Sequence, residues 1–280
     1  MIDQLFEQYM RERIYLSQLS PHTIKHYRLS YKTYRRFVDE ALPTKQSLEA
    51  FVIGMGQAGI KPCTANVYIR GVNTFLTWLA ENEYIPALKI KKLKAPKPII
   101  KTFSEAQLRI LFAHKPKRFW EVRMWHLLLF LADTGCRINE ALSIKRGDID
   151  FNSLLVTVHG KGNKTRTIPF SHELRKLLYR YLQKHNFDYV FCTRQGVKLI
   201  YFNVNREFHW LTDKLGLPRT GLHSLRHTFA KNYLRNGGNL FYLQAALGHS
   251  SITTTKMYVE VETQDLQNTH ARTSLLTRLR

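Results

Sequence analysis

Residues 223–230 read HSLRHTFA, and three of these eight side chains are basic. His223, Arg226 and His227 stand at positions i, i+3 and i+4. Side chains at these spacings share one face of an α-helix, so the stretch predicts a helix with a basic face. A single histidine there is most simply a capping or packing residue, so the significance of the stretch depends on the rest of the chain.

A second stretch, residues 134–142, reads TGCRINEAL. It follows an apolar helix predicted over residues 122–132, and helical spacing resumes at Ile138. Arg137 and Glu140 are three residues apart, so they share a face of this short helix. Taken alone, such a pair is most often an ion pair on the surface of a helix.

Two further candidates follow a helix end predicted at Gly248. His249 comes next, and Tyr258 lies nine residues later. Another candidate, Lys161, stands in the sequence GKGNK, between two predicted strands at residues 154–158 and 165–169. This composition is typical of a hairpin turn, so Lys161 is expected at its tip.

The first ninety residues predict an all-helical region. Ser20 and Pro21 are typical of an N-cap followed by proline in the first helical turn. A second helix is predicted from about Thr64, and a weaker one over residues 48–55. We predict a helical domain over residues 1–95.

A lysine-rich segment separates this region from the rest of the chain. Residues 89–101 contain six lysines and two prolines, which disfavour a helix, so we predict a linker centred on residues 96–100. It is either a solvated tether or a DNA-contacting segment. The candidate DNA contacts are Lys91, Lys92, Lys94, Lys97 and Lys101.

A second domain, predicted over residues 101–280, begins at the capping-box sequence from Ser104 to Gln107. Apolar spacing predicts another helix around residues 174–182, after the hairpin. The expected fold class is therefore mainly α with a small antiparallel β-sheet, in two domains.

Charge indicates the partner. The chain of 280 residues has 43 lysines and arginines against 21 acids, a formal net charge of +22. Such a surface attracts nucleic acid, although a merely soluble basic protein has the same balance. No bilayer-length apolar stretch or signal-peptide pattern is present, and the three scattered cysteines predict neither disulfides nor a zinc site. We expect a cytoplasmic protein without membrane association.

The order of these candidates resembles the catalytic signature of the tyrosine recombinase, or phage integrase, family. Arg-x-x-Glu is followed by a hairpin lysine, His-x-x-Arg-His, Leu-Gly-His and a tyrosine. The resemblance implies a two-domain DNA clamp with a core-site-binding N-terminal domain. The residues that it implies as catalytic are Arg137, Lys161, His223, Arg226, His249 and Tyr258, with Glu140 and His227 in support.

The resemblance also implies a mechanism. Tyr258 would attack a DNA phosphodiester and become joined to the 3′ phosphate, while the arginines stabilise the phosphate. Lys161 would act as general acid, and His223 would accept or orient the tyrosine proton. No cofactor, metal ion or small-molecule substrate is implied. A metal-dependent nuclease using Asp148 and Asp150 is disfavoured, because no third acid completes a pattern.

Family resemblance further implies a homotetramer acting on two inverted-repeat core sites of double-stranded DNA. Two alternatives remain: a type IB topoisomerase and a DNA-binding regulator without chemistry. A possible helix within residues 265–280 favours the recombinase, since recombinases typically pass such a tail to a neighbouring subunit. No arm-binding domain is expected before the helical region, which favours a resolvase or transposon recombinase over a phage-lambda type of integrase.

Overall fold

The structure is a computed structural model that describes residues 1–39, 41–96, 100–160, 165–249 and 251–259. Its contacts divide the chain into two compact units, Met1–Pro98 and Ile99–Arg280. Within the described ranges, every helix is too short or too polar to cross a membrane. The second unit combines helices with a small antiparallel sheet, so the expected fold class is confirmed.

The described residues of the first unit contain four helices: α1 (Ile2–Tyr15), α2 (Pro21–Phe37), α3 (Lys45–Gln57) and α4 (Pro62–Glu81). As predicted, Ser20 caps α2, and its hydroxyl accepts a hydrogen bond from the Thr23 amide at 3.3 Å. Thr44 and Ser47 form a capping box at the start of α3. Capping satisfies amide groups that lack partners within the helix, which fixes where α2 and α3 begin.

Aromatic side chains fill the core of this unit. Tyr9 and Phe75 are buried with ring centroids 5.3 Å apart, and Trp78 stacks on Phe75 at 6.1 Å. The Tyr9 hydroxyl donates to Thr74 at 2.9 Å, so the one polar atom of this ring is satisfied. Large, rigid rings of this kind give the four-helix unit its own hydrophobic core.

The beginning of the lysine-rich segment is part of the first unit rather than a free tether. Asn73 in α4 bonds both the amide and the carbonyl of Ile90, each at 2.9 Å. Seven residues earlier on the same helix, Asn66 bonds the amide and the carbonyl of Leu93 at 2.8 and 2.9 Å. The segment therefore lies against α4 as far as Leu93.

The described part of the second unit contains the remaining elements. They are α5 (Glu105–Ala113), α6 (Phe119–Thr134), α7 (Ile138–Ala141), a 3-10 turn (Arg146–Asp148), β1 (Ile149–Asp150), β2 (Leu155–His159), β3 (Thr165–Pro169), α8 (His172–Leu182), α9 (Tyr201–Lys214), α10 (His223–Arg235), α11 (Leu240–Leu247) and α12 (Ile252–Lys256). Ser104 and Gln107 form the predicted capping box of α5.

The three strands form one antiparallel sheet in the order β1-β2-β3. The pairing of β2 with β3 runs from Leu155 opposite Pro169 to His159 opposite Thr165. This register confirms the predicted hairpin, although its turn, residues 161–164, lies outside the described residues. The short strand β1 was not predicted, because two residues carry no readable alternation.

The apolar helix α6 runs through the core of the second unit and contacts α8, α9 and α10. Leu127, Leu128 and Leu131 are almost fully buried. A smaller apolar cluster forms where α10 and α11 meet, and it contains Ala230, Leu243, Leu247 and Tyr258. The sheet and these helices position the candidate site.

Candidate active site

Arg137 occupies the N-cap position of α7, directly after the end of α6. Gly135 ends α6 with φ of +62°, and a Cβ atom there would lie 2.2 Å from the Phe229 ring. Glycine is therefore required both by the left-handed backbone and by the close approach of α10. Arg137 follows this turn, and its side chain is 41% exposed.

Glu140 is buried, and its carboxylate accepts hydrogen bonds from two arginines, Arg137 and Arg166. Its carboxylate accepts hydrogen bonds from the amide and the guanidinium of Arg137, both at 2.8 Å. Burial by itself would raise the pKa of Glu140, but the hydrogen bonds from Arg166 and Arg137 outweigh it and lower the pKa. Glu140 is thus a buried anion rather than half of a surface ion pair.

Arg166 in β3 is the residue that sequence reasoning missed. Its guanidinium donates to both oxygens of Glu140 at 3.0 and 2.9 Å, and its Nε donates to the Ala246 carbonyl at 2.8 Å. It therefore ties the hairpin strand to α7 and to the end of α11. The sequence offers one signal for Arg166, which is its place in a predicted strand two positions from the apolar Ile168. The structure buries Ile168.

Arg226 is one of the largest fully buried side chains in the described protein, at 2% exposure. Its guanidinium donates to the carbonyls of Gly135 and Leu247 at 2.9 and 2.7 Å. Burial, reinforced by the nearby charge of Arg137, lowers its pKa to about 10. The side chain still carries its charge at neutral pH, because this pKa lies well above 7.

His249 joins this group through its ring. Nε2 lies 2.9 Å from an Arg226 nitrogen, and Nδ1 lies 2.9 Å from the Thr255 hydroxyl. The preceding Gly248 has φ of +64°, which ends α11 and turns the chain toward α12. Burial, followed by the charge of Arg226, lowers the pKa of His249 to about 4, so its ring is neutral at pH 7.

Tyr258 is almost buried, at 6% exposure, and its ring lies parallel to that of His249 at 6.4 Å. Its hydroxyl lies 2.7 Å from Nδ1 of His227. Burial raises the pKa of the tyrosine despite the charges of Arg226 and Arg137. Burial, followed by His223 and Arg226, lowers the pKa of His227 to about 4.

His223 stands at the first position of α10 and is exposed. Its ring meets the ring of His227 edge-on at 4.7 Å. Burial of its ring atoms and the charge of Arg226 lower its pKa. The structure therefore brings His227, and not His223, into hydrogen-bond contact with the tyrosine.

The other predicted residues differ in what the structure gives for them. Lys91, Lys92, Lys94 and Lys101 are exposed, as a DNA contact requires. Lys161 and Lys97 lie outside the described residues, as does the predicted C-terminal helix. Among the residues that are described, no three His, Cys, Asp or Glu side chains are grouped to hold a metal ion.

Taken together, the arrangement is suited to binding an anion next to a tyrosine. Arg137, Arg166 and Arg226 carry three positive charges, and a single carboxylate, Glu140, pairs with two of them, Arg137 and Arg166. Guanidinium groups can each give two parallel hydrogen bonds to a phosphate. These residues are spread along the sequence from Arg137 to Tyr258, and the fold brings them together.

The sequence model of the phage integrase family matches residues 101–265. The chain belongs to this family. It is similar to the tyrosine recombinase XerA of Pyrococcus furiosus, with 30% identity over 87% of this chain and 86% of that protein. It is also similar to the tyrosine recombinase XerC of Chlamydia caviae, with 28% identity over 90% of this chain and 92% of the relative.

Solved tyrosine recombinase structures share the fold. The integrase of transposon Tn1549 in complex with circular intermediate DNA aligns with a TM-score of 0.81 at 18% identity, over 96% of this chain and 98% of that one. These findings confirm the tyrosine recombinase family. They give no support to the topoisomerase or to the regulator without chemistry.

Proposed function

We propose that this tyrosine recombinase cuts and rejoins duplex DNA at specific sites through a covalent bond between Tyr258 and a 3′ phosphate. The observation that carries the proposal is the position of Tyr258 beside Arg226 and His249, although these residues come from different elements. His249 lies 2.9 Å from Arg226, and its ring is parallel to that of Tyr258. A tyrosine next to a charged phosphate-binding group is what this reaction requires.

The scissile phosphate binds to the exposed guanidinium of Arg137, next to the buried Arg226. Attack by the tyrosine oxygen passes through a five-coordinate phosphorus that carries more negative charge on its non-bridging oxygens. Arg137 and Arg226 are held in place before the DNA arrives, so they stabilise this charge without reorganising. His249 helps to fix this site, because its Nε2 accepts a hydrogen bond from the Arg226 guanidinium at 2.9 Å.

The leaving 5′ oxygen requires a proton as its bond to phosphorus breaks. Lys161 supplies it in this proposal, consistent with the family signature, and the paired strands β2 and β3 support a hairpin that carries this lysine. The phosphotyrosyl bond retains the energy of the broken phosphodiester. A free 5′ hydroxyl from a partner strand can therefore attack it and complete strand exchange without ATP.

The arrangement on DNA is part of the proposal. The helical unit, residues 1–95, binds the core site, and the unit from residue 101 carries the chemistry, with the two forming a clamp on the duplex. The exposed lysines Lys91, Lys92, Lys94 and Lys101 contact the phosphate backbone, and Lys97 is assigned with them. Four subunits act on two inverted-repeat sites, in the manner of a resolvase or transposon recombinase.

A covalent selection from random DNA tests the reaction and finds its site in one experiment. Wild-type protein is incubated with a pool of nicked duplexes whose arms are randomised, and protein–DNA adducts that survive denaturation are recovered and sequenced. The expected result is an enriched inverted-repeat sequence, with no adduct for Tyr258→Phe. An adduct formed equally by Tyr258→Phe would contradict the assignment of the nucleophile, and no adduct from any pool would contradict the cleavage reaction.

A further inference from the structure

The nucleophile is hydrogen-bonded to a histidine for which the sequence predicted only a supporting role. We propose that His227 positions the Tyr258 hydroxyl and receives its proton when the DNA strand is cut. This inference rests on the proposed cleavage reaction. It gives His227 the part that the family resemblance assigned to His223.

Geometry distinguishes the two histidines. Nδ1 of His227 lies 2.7 Å from the Tyr258 oxygen, with ring centroids 5.5 Å apart at an interplanar angle of 50°. His223 stands one turn earlier on α10, a rise of about 6 Å for four residues. Among the described residues, the hydroxyl of Tyr258 has its side-chain hydrogen bond with His227.

The charges around this pair set the protonation state of the histidine. His223 and Arg226 face His227 from the same helix, while Arg137 and His249 approach Tyr258 from α7 and from the end of α11. These surroundings, together with burial, keep the His227 ring neutral. Our proposal assigns the hydrogen of this neutral ring to Nε2. The lone pair at Nδ1 then accepts the hydrogen bond that the tyrosine hydroxyl donates.

The proton remains on the tyrosine until the chemistry begins. The pKa of Tyr258 lies above its usual value near 10, whereas that of His227 is about 4, so the resting pair is neutral. As the bond from the tyrosine oxygen to phosphorus forms, the phenolic proton becomes far more acidic. A base that is weak in the free protein is then strong enough to accept it.

Cleavage forms one bond, breaks another and moves two protons. The oxygen–phosphorus bond to Tyr258 forms, the bond from phosphorus to the 5′ oxygen breaks, and the tyrosine proton passes to Nδ1 of His227. The departing 5′ oxygen takes its proton from the general acid proposed above. The resulting imidazolium lies beside the anionic phosphate, and in the rejoining step it returns the proton to the tyrosine.

The variant that separates positioning from proton transfer is His227→Asn. Its amide oxygen can accept the tyrosine hydrogen bond but cannot take the proton. On the nicked duplex recovered by the covalent selection, single-turnover adduct formation by His227→Asn is expected to be about 10²- to 10⁴-fold slower than wild type. Its rate should rise about tenfold per pH unit between pH 7 and 9 as tyrosinate accumulates, because the tyrosine must then lose its proton to solvent.

Two matched variants serve as controls. His223→Asn should retain the level pH profile of wild type, because His227 still takes the tyrosine proton in this variant. His172→Asn replaces an exposed histidine of α8 and should leave both rate and profile unchanged. Wild-type rates for His227→Asn, or the rising profile in His223→Asn instead, would overturn the inference.

A measurement without DNA distinguishes failure of this inference from failure of the proposed function. Urea unfolding of His227→Leu, Tyr258→Phe and the double variant should give a loss for the double variant that is smaller than the sum of the two single losses. If the losses are additive and the wild-type protein still cuts DNA, then His227 and Tyr258 do not interact. That result would contradict this inference alone. Coupled losses in a protein that forms no adduct would instead retain the contact and contradict the cleavage reaction.

Discussion

The two units bury different kinds of side chain. Within its described residues, the first unit buries apolar and aromatic groups together with the hydroxyls of Ser30 and Ser47, but no charged group. The second unit buries the charged side chains of Glu121, Arg123, Glu140 and Arg226. Buried charge costs several kilocalories per mole unless it is paired, so a fold retains it where a specific arrangement is needed.

Pairing explains how the second unit tolerates this charge. Glu140 accepts hydrogen bonds from Arg137 and Arg166, and Arg226 instead donates to the carbonyls at the ends of α6 and α11. The arginines are therefore fixed by backbone carbonyls and by one carboxylate. The first unit thus depends on ring packing, whereas the second depends on a charged network shared with its site.

The largest effect is expected from removing the centre of that network. Glu140→Ala leaves the charges of Arg137 and Arg166 without their carboxylate, so the second unit should lose about 3–5 kcal/mol of unfolding free energy. Urea unfolding measures the loss of unfolding free energy, and hydrogen exchange shows in which unit the loss occurs. Glu105→Ala, which removes an exposed pair with Arg109, should cost nothing measurable. Equal losses for the two variants would erase the contrast between buried and surface charge.

A smaller change in the same network should affect chemistry more than folding. Arg226→Lys keeps the charge but loses the fixed fork of donors, so adduct formation should fall about 10²- to 10³-fold, equivalent to about 2.7–4 kcal/mol. Single-turnover cleavage with separate measurement of DNA affinity tests this. The control Arg219→Lys alters an exposed ion pair with Asp213 and should react like wild type. An unchanged rate for Arg226→Lys would mean that charge alone is sufficient.

Acid should destabilise the site through its histidines. The pKa of His227 and of His249 is about 4 in the folded protein, below the value near 6.5 of an unfolded chain. The unfolded state therefore binds more protons between these values, so stability is complete above about pH 6.5 and is lost as the pH falls toward 4.

Because both rings are partly exposed, we expect a loss of about 1–2 kcal/mol for each. Urea unfolding between pH 4 and 7 measures it, and the slope should be smaller in a variant that carries both His227→Asn and His249→Gln. Parallel curves for this variant and wild type would assign the acid sensitivity to other groups.

The smallest effect tests the aromatic unit. Tyr9→Phe removes the hydrogen bond to Thr74 while retaining the ring, so the first unit should lose about 1 kcal/mol. Adduct formation should stay at the wild-type level. Tyr15→Phe, at a tyrosine that is 75% exposed, provides the comparison and should cost nothing measurable. A loss of activity in Tyr9→Phe would mean that the two units are more closely coupled than their separate cores indicate.

Local patterns in the sequence were sufficient for most of the helices and for the hairpin strands. The cap at Ser20, the capping box at Ser104 and the glycine at position 135 each act within a few residues, so they can be read directly. The same holds for the i, i+3 and i+4 spacing on α10. The stretches 134–142 and 223–230 also identified the family, because the residues within each lie close together in sequence.

Contacts between distant residues depend instead on the tertiary structure. Arg166 meets Glu140 across 26 positions, and no local spacing connects a strand residue to a short helix. Residue spacing placed His223 and His227 on one helix face, and the family resemblance assigned the tyrosine proton to His223. The choice depends on the position of Tyr258, which follows the turn after α11. The packing of α10, α11 and α12 sets that position. The order of residues along the chain set which chemistry is available, and the fold selected the histidine that meets the tyrosine.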